Sequence, residues 1–160
     1  MERIEELLCK LDDIAGIVPD LYQLLDECGE FVRDDARLRV PVDTSDLRKS
    51  IQHTTRQTDG GIETVVHTNS DHAAYVEFGT GPIGAANHAG ISPQAQPVYR
   101  REKWRGVIPS LKTDKDAGIR YIAGQKAQPY LYPALKDNEE QLEEYLAEGI
   151  QEAIRRKANG

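Results

Sequence analysis

A proline at position 41 separates two folding regimes in this chain, and no other single residue restricts the architecture as much. Proline has no backbone N–H and pushes the residue before it, Val40, out of helical geometry, so a helix arriving from upstream must end there. Such a helix does arrive. Ile4, Leu7, Leu8, Leu11, Ile14 and Ala15 form one stripe at helical spacing, and Leu21, Leu24, Leu25, Cys28, Val32 and Ala36 form another. Gly16 and Pro19 lie between the two and predict an interruption, with Asp20 near the start of the second helix. Gly29 inside that helix costs about 1 kcal/mol relative to alanine, so close packing has to offset it.

Residues 41–51, PVDTSDLRKSI, are built as a joint. Asp43 or Thr44 can cap a short helix, because their side-chain oxygens accept from free backbone N–H groups. Asp46 suits the first turn, Leu47 faces the core, and Arg48 and Lys49 face water. From Ser50 the pattern becomes extended: SIQHTTRQT, the turn at Asp59-Gly60, then IETVVHT, a hairpin signature. AAYVEF reads as a further short strand, closed by GTGPIG, and 80–97 as a long Gly-, Ala- and Pro-rich loop. YRREKWRGVIPSL and GIRYIAGQ predict two more strands around the charged turn KTDKDAG. A last helix follows AQPYLYPALKD, with Leu135, Leu142, Leu146, Ile150 and Ala153 on one face, acids at its start and Arg155, Arg156 and Lys157 at its end. The expected fold class is α+β: long N-terminal helices, an antiparallel β-meander packed on helices, a long central loop and a C-terminal amphipathic helix. Residues 1–18 form a helical extension in this reading, and 19–160 a single domain.

Charge narrows the function. The net charge is −7, unevenly spread: residues 1–30 hold nine acids and two bases, 57–97 hold four acids and no Lys or Arg, and 98–126 hold eight bases and three acids. Phosphate binding needs a dominant basic face, so an acidic chain of this kind is a poor wrapper of nucleic acid. The alternation of sign suits self-association, an acidic patch of one copy meeting a basic patch of the next. No apolar run approaches the roughly 18 residues of a membrane span. The acidic amphipathic start lacks the basic n-region and apolar block of a signal peptide, and the expectation is cytoplasmic synthesis without a membrane partner. Cys9 and Cys28 sit at apolar helical positions as reduced thiols, and four dispersed histidines give no zinc spacing.

Catalytic signatures fail one by one. GTGPIG has neither the Lys-Ser/Thr pair of a phosphate loop nor the glycine spacing of a dinucleotide fingerprint. His67, Asp71, His72 and Glu77 supply the residue types of a metal or acid–base site without the spacing of one. Ser45, Ser50 and Ser92 lack a nucleophile elbow, and neither cysteine stands beside an activating base. No cofactor, metal or catalytic residue is assigned. Glu77, in YVEFGTG, keeps two readings: an ion-pair partner for an arginine of a neighbouring subunit, or a strand-edge charge that discourages edge pairing.

Three separated pieces, PVDTSDLRKSI, YVEFGTG and AQPYLYPAL, together resemble the tailed-phage minor structural proteins grouped as tail components, the neck and tail-completion proteins of the head–tail junction. Asp43, Thr44, Leu47, Arg48 and Ser50 match the first motif of that family, with Ser45 where glycine is usual. Tyr75, Glu77, Phe78, Gly79 and Thr80 match the second. Pro129, Leu131, Pro133 and Ala134 fit the third, with Tyr130 in place of phenylalanine. The resemblance spans roughly 20–155 and leaves 1–16 outside.

What the resemblance implies is a virion protein without enzymatic turnover, made in the bacterial host. It would form a ring of six or twelve copies between connector and tail-tube or tail-terminator proteins. DNA would pass through the lumen without specific binding, repelled by an acidic wall. The matched residues, with Arg100, Arg101 and Trp104 of the basic stretch, become candidates for subunit contacts or for the structural motif. Two alternatives of other classes are a small metal-dependent hydrolase or nuclease using Glu77 with His67 and His72, and an adaptor binding a host protein through its N-terminal helix.

Overall fold

The computed structural model describes residues 2–41, 45–107 and 119–159. In chain order the elements are α1 (Glu2–Arg39), α2 (Ser45–Ser50), β1 (Ile51–Thr58), β2 (Gly61–Thr68), α3 (Ala73–Phe78), α4 (Gly81–Ala86), β3 (Trp104–Val107), β4 (Ile119–Ile122), α5 (Leu131–Lys136) and α6 (Glu139–Asn159). The fold is α+β, with the expected helices at both ends. The chain divides into two compact units, one made of 1–37, 51–67 and 134–160, the other of 38–50 and 68–133.

The first unit is built on α1 and α6. α1 stops at Arg39, as Pro41 requires, but it runs unbroken through Gly16 and Pro19, against the expected interruption. An internal proline removes one hydrogen bond and crowds the preceding turn at a cost of about 3 kcal/mol. Contacts with the C-terminal helix lie on both sides of Pro19. Arg156 donates to Asp20 at 3.1 Å, and Lys157 lies against Gly16. The pairing continues in the opposite chain sense: Gly149 against Leu24, Tyr145 donating to Glu27, and Asn138 donating to Asp35 at 2.7 Å. The two helices are therefore antiparallel.

The β1–β2 hairpin turns at Asp59-Gly60, as its sequence predicts, and lies on α1. Tyr22 donates to the Thr55 carbonyl at 2.7 Å, and Arg37 donates to the Ile51 carbonyl at 2.7 Å. Gly29 is the point of closest approach: a Cβ there would meet Thr64 Oγ1 at 2.3 Å, which is the packing that offsets its poor helix propensity. Cys28, Val32 and Ala36 of α1, with Ile51 and Ala153, form the buried core of this unit.

In the second unit β3 and β4 pair antiparallel, with Trp104 opposite Ile122 and Val107 opposite Ile119. The strands among the described residues thus pair as two two-stranded ribbons instead of one meander. AAYVEF is helix α3, contrary to the strand expectation. Short apolar runs are ambiguous between the two states, and the alanine pair and the Gly79 C-cap decide it locally for helix. The expected long loop from 80 also begins with a helix, α4, because Thr80 is extended and Pro82 stands in the first turn, where its missing N–H costs nothing. The irregular stretch is therefore 87–103. Val40, Leu47, Val76, Glu77 and Tyr130 are the buried residues at the heart of this unit.

Candidate functional site

The first motif is a backbone fastening. The cap residues Asp43 and Thr44 lie outside the described residues, as does the charged turn KTDKDAG. Leu47 is fully buried, as its spacing demands. Arg48, expected in water, is half-buried and donates to the Val40 carbonyl at 3.0 Å, one of the carbonyls left open where α1 ends. Ser50 donates to the Leu47 carbonyl at 2.8 Å and shares a 2.6 Å hydrogen bond with Thr68.

The second and third motifs meet at Glu77. Glu77 is 5% exposed, and its carboxylate accepts three backbone N–H groups, those of Tyr130 at 2.7 Å, Leu131 at 3.0 Å and Tyr132 at 3.1 Å. These are the open donors at the start of α5, so Glu77 caps that helix from more than fifty residues away in sequence. Pro133, next in line, has no N–H to satisfy. Both earlier readings of Glu77 are thereby corrected: it lies on no strand edge, and its oxygens are committed inside the subunit. Pro129 packs beside Gly90, and Gln128 N–H donates to the Val76 carbonyl at 2.8 Å. Tyr130 is fully buried, and its hydroxyl has no hydrogen-bond partner among the described residues. Burial, with the Glu77 charge nearby, pushes its pKa up to about 12.

The glycines of GTGPIG serve a backbone crossing. Thr80 and Gln125 exchange N–H to carbonyl hydrogen bonds of 2.9 and 3.1 Å, and Ile83 N–H donates to the Ala123 carbonyl at 3.1 Å. A Cβ on Gly124 (φ +95°) would fall 1.8 Å from the Thr80 oxygen, and one on Gly79 (φ +74°) 2.7 Å from the Ala127 nitrogen. Only glycine fits a crossing this close. Beside it, Tyr75, Phe78, Gly79, Thr80, Arg100 and Trp104 line one open cleft of about 810 Å³. Arg100 lies over the Trp104 ring at 5.5 Å, and Tyr99 donates to the Phe78 carbonyl at 2.7 Å. Arg101 is exposed on the adjoining chain. Gln125, which also donates to the Tyr75 carbonyl at 2.8 Å, and the cleft residues Val98 and Tyr99 were not visible from the sequence, since no periodicity marks an irregular segment.

The histidines are employed separately. His67 shares a hydrogen bond with Thr54 at 3.0 Å, and His72 packs its ring near Tyr75. Among the described residues no group of three or more His, Cys, Asp or Glu is placed to hold a metal ion, and no helix is long and apolar enough to cross a membrane.

Residues 5–79, a little under half of the chain, match the family model described as "Bacteriophage HK97-gp10, putative tail-component". Over this segment the chain is similar to phage tail components. The tail-component match contains the first two motifs whole up to Gly79, and it begins at residue 5, inside the segment that the motif resemblance left out. It ends before AQPYLYPAL, whose likeness to the family rests on the motif itself. No curated protein and no solved structure matches the chain.

Proposed function

We propose that this chain is a non-enzymatic structural protein of the phage head–tail junction. In this reading it assembles as a ring of six or twelve copies that joins tail to connector and leaves a channel for DNA. The observation that carries the proposal is the tail-component match over the residues holding the first two motifs. The geometry of those residues supports it: Arg48, Ser50 and Glu77 are spent on fixing backbone, which suits a rigid building part. The net charge of −7 suits a lumen that DNA slides through without adhering. Copies of the chain, connector proteins and tail-tube or tail-terminator proteins are the partners, and the virion is the site of action.

Light scattering after size exclusion, with electron microscopy of the same peak, tests the reading. Closed rings with a central hole are the expected result, formed by the chain alone or on addition of purified tails. A monomer that neither closes into rings nor joins tails would overturn it. Replacing Glu77 by Gln separates this role from hydrolysis, because a structural part loses stability whereas a metal-dependent enzyme loses turnover.

A further inference from the structure

A chain of hydrogen bonds ties the β1–β2 hairpin to α1, and the donors available fix where its protons lie. Arg33 Nη1 is 3.2 Å from His53 Nδ1, and His53 Nε2 is 3.1 Å from Asp26 Oδ1. Thr55 of β1 donates to the same Oδ1 at 2.8 Å and shares a 3.0 Å hydrogen bond with Thr64 of β2. A guanidinium has donors and no acceptor, so Nδ1 must accept. An ionised carboxylate only accepts, so Nε2 must carry the hydrogen. The His53 ring is therefore neutral, in its Nε2–H tautomer, and bridges a cation and an anion of the same helix.

A proton arriving at Nδ1 would set a donor against a donor and two positive charges 3.2 Å apart. Water can do little to relieve this, because the His53 side chain is 15% exposed and that of Arg33 17%. Among the described residues, the charged groups bonded to the ring or to its partners come from α1. Asp26 stands on one side, and Arg33 on the other with Glu30 at 2.7 Å and Asp34 at 2.8 Å. β2 presents the uncharged Thr64 hydroxyl, and Gly29 leaves no spare room beside the ring, since a Cβ there would meet His53 Cδ2 at 3.0 Å. Arg33 thus has two carboxylates to turn to, whereas His53 keeps Asp26, now as an ion pair. We infer that the Arg33–His53 bond is a proton-operated latch between α1 and the hairpin, closed by the neutral ring and released by the charged one. In β1 the latch lies between Ile51 and Thr55, whose carbonyls Arg37 and Tyr22 hold at any protonation state of the ring, so release loosens the seam locally and leaves the hairpin attached.

Heteronuclear NMR of the histidine rings in the full chain, followed from about pH 8 to about pH 5, tests the latch over the range in which histidine changes charge. The Nε2–H tautomer of His53 is expected at the upper end, and the Arg33 side-chain N–H signals should move together with the ring as it takes up its proton. A double-mutant cycle with Arg33→Met and His53→Phe, read in denaturant unfolding, should give a favourable coupling at about pH 8 that is lost at about pH 5. The matching cycle with Asp26→Asn should keep its coupling at both, which separates release of Arg33 from general loosening in acid. Three results overturn the inference: a ring that is Nδ1–H or already charged at the upper pH, Arg33 signals that ignore the ring, or an Arg33–His53 coupling equal at both ends. Should the substituted chains fail to fold, the first two are read on the unsubstituted protein. The latch lies within the first unit, so it stands or falls independently of the ring assembly proposed above.

Discussion

The two units of the molecule are fastened by different chemistry. In the first, side chains meet side chains at a half-wet surface: Thr55 donates to Asp26 at 2.8 Å, Asp26 holds His53 at 3.1 Å, and Arg33 reaches the other nitrogen of that ring at 3.2 Å. In the second, backbone is the partner at the buried motif. Glu77 grips three N–H groups, and the carbonyls of Thr80 and Gln125 lie where a Cβ on Gly124 or Gly79 would meet them. A flexible side chain can move aside or be replaced by water at small cost, whereas a buried backbone donor that loses its partner cannot. The second unit should therefore be the brittle one.

Two glycines break or sharpen this contrast most directly. Gly124→Ala places a Cβ 1.8 Å from a backbone oxygen at a φ of +95°, and should cost more than about 4 kcal/mol or prevent the second unit from folding. Gly149→Ala in α6 meets only the methyl end of Leu24, at 2.4 Å, and should cost about 1–2 kcal/mol. Thermal unfolding of both variants, with near-ultraviolet circular dichroism of Trp104, measures the difference. Equal effects would show that backbone and side-chain contacts are equally forgiving here.

Glu77→Gln comes next. The amide keeps one acceptor oxygen and loses the charge and the second acceptor, so at least one buried N–H is left open. A loss of about 2–4 kcal/mol is expected, or roughly 4–16 °C in melting temperature. An unchanged midpoint would mean that the three hydrogen bonds contribute nothing net.

How much of this was legible in sequence follows the same division. The helical stripe ending before Pro41 and the hairpin around Asp59-Gly60 are local signals, and each produced the element it predicts. α3 departs from the strand expectation because six residues hold too little periodicity to separate helix from strand. Gly79 could have corrected it as a helix C-cap, and Pro82 similarly announces α4. The role of Glu77 had no local signal at all. Its partners lie 53 to 55 residues away and are backbone groups, which carry no side-chain identity for a sequence to display. The cleft is hidden for the same reason, since Gln125 is brought to it by the crossing at Thr80 and Tyr99 by its hydrogen bond to the Phe78 carbonyl.

Acid should affect the first unit with a smaller amplitude. The Thr55 hydrogen bond, helped by the bond from His53, lowers the pKa of Asp26 below its ordinary value, and the Arg33 hydrogen bond lowers that of Asp34. A carboxylate whose folded pKa is depressed stabilises the fold above its unfolded pKa, and loses that contribution as pH falls through the folded value. Stability should accordingly decline below the ordinary aspartate value of 3.8. The Asp26 side chain is 48% exposed, so screening holds the effect to about 0.5 kcal/mol. Asp26→Asn should flatten this acid limb in denaturant midpoints measured between neutral pH and the acid range. An acid limb of unchanged slope would remove Asp26 from the account.

The smallest effect should have the opposite sign. Tyr130 keeps a buried hydroxyl with no partner among the described residues, at the place where the related motif carries phenylalanine. Leaving such a group unsatisfied costs about 1–3 kcal/mol, while deleting one oxygen opens only a small gap. Tyr130→Phe should therefore leave stability unchanged or raise it by about 1 kcal/mol at neutral pH. The pH dependence gives an independent check. A tyrosine pKa raised to about 12 in the fold from its ordinary 10.0 means that the unfolded chain ionises first, so the native protein loses stability as pH rises above 10.0. The phenylalanine variant should lack that part of the alkaline decline. If it instead unfolds more easily at neutral pH, the hydroxyl has a hydrogen bond that the fold depends on, and the buried face around Glu77 and α5 must be wetter than its packing indicates.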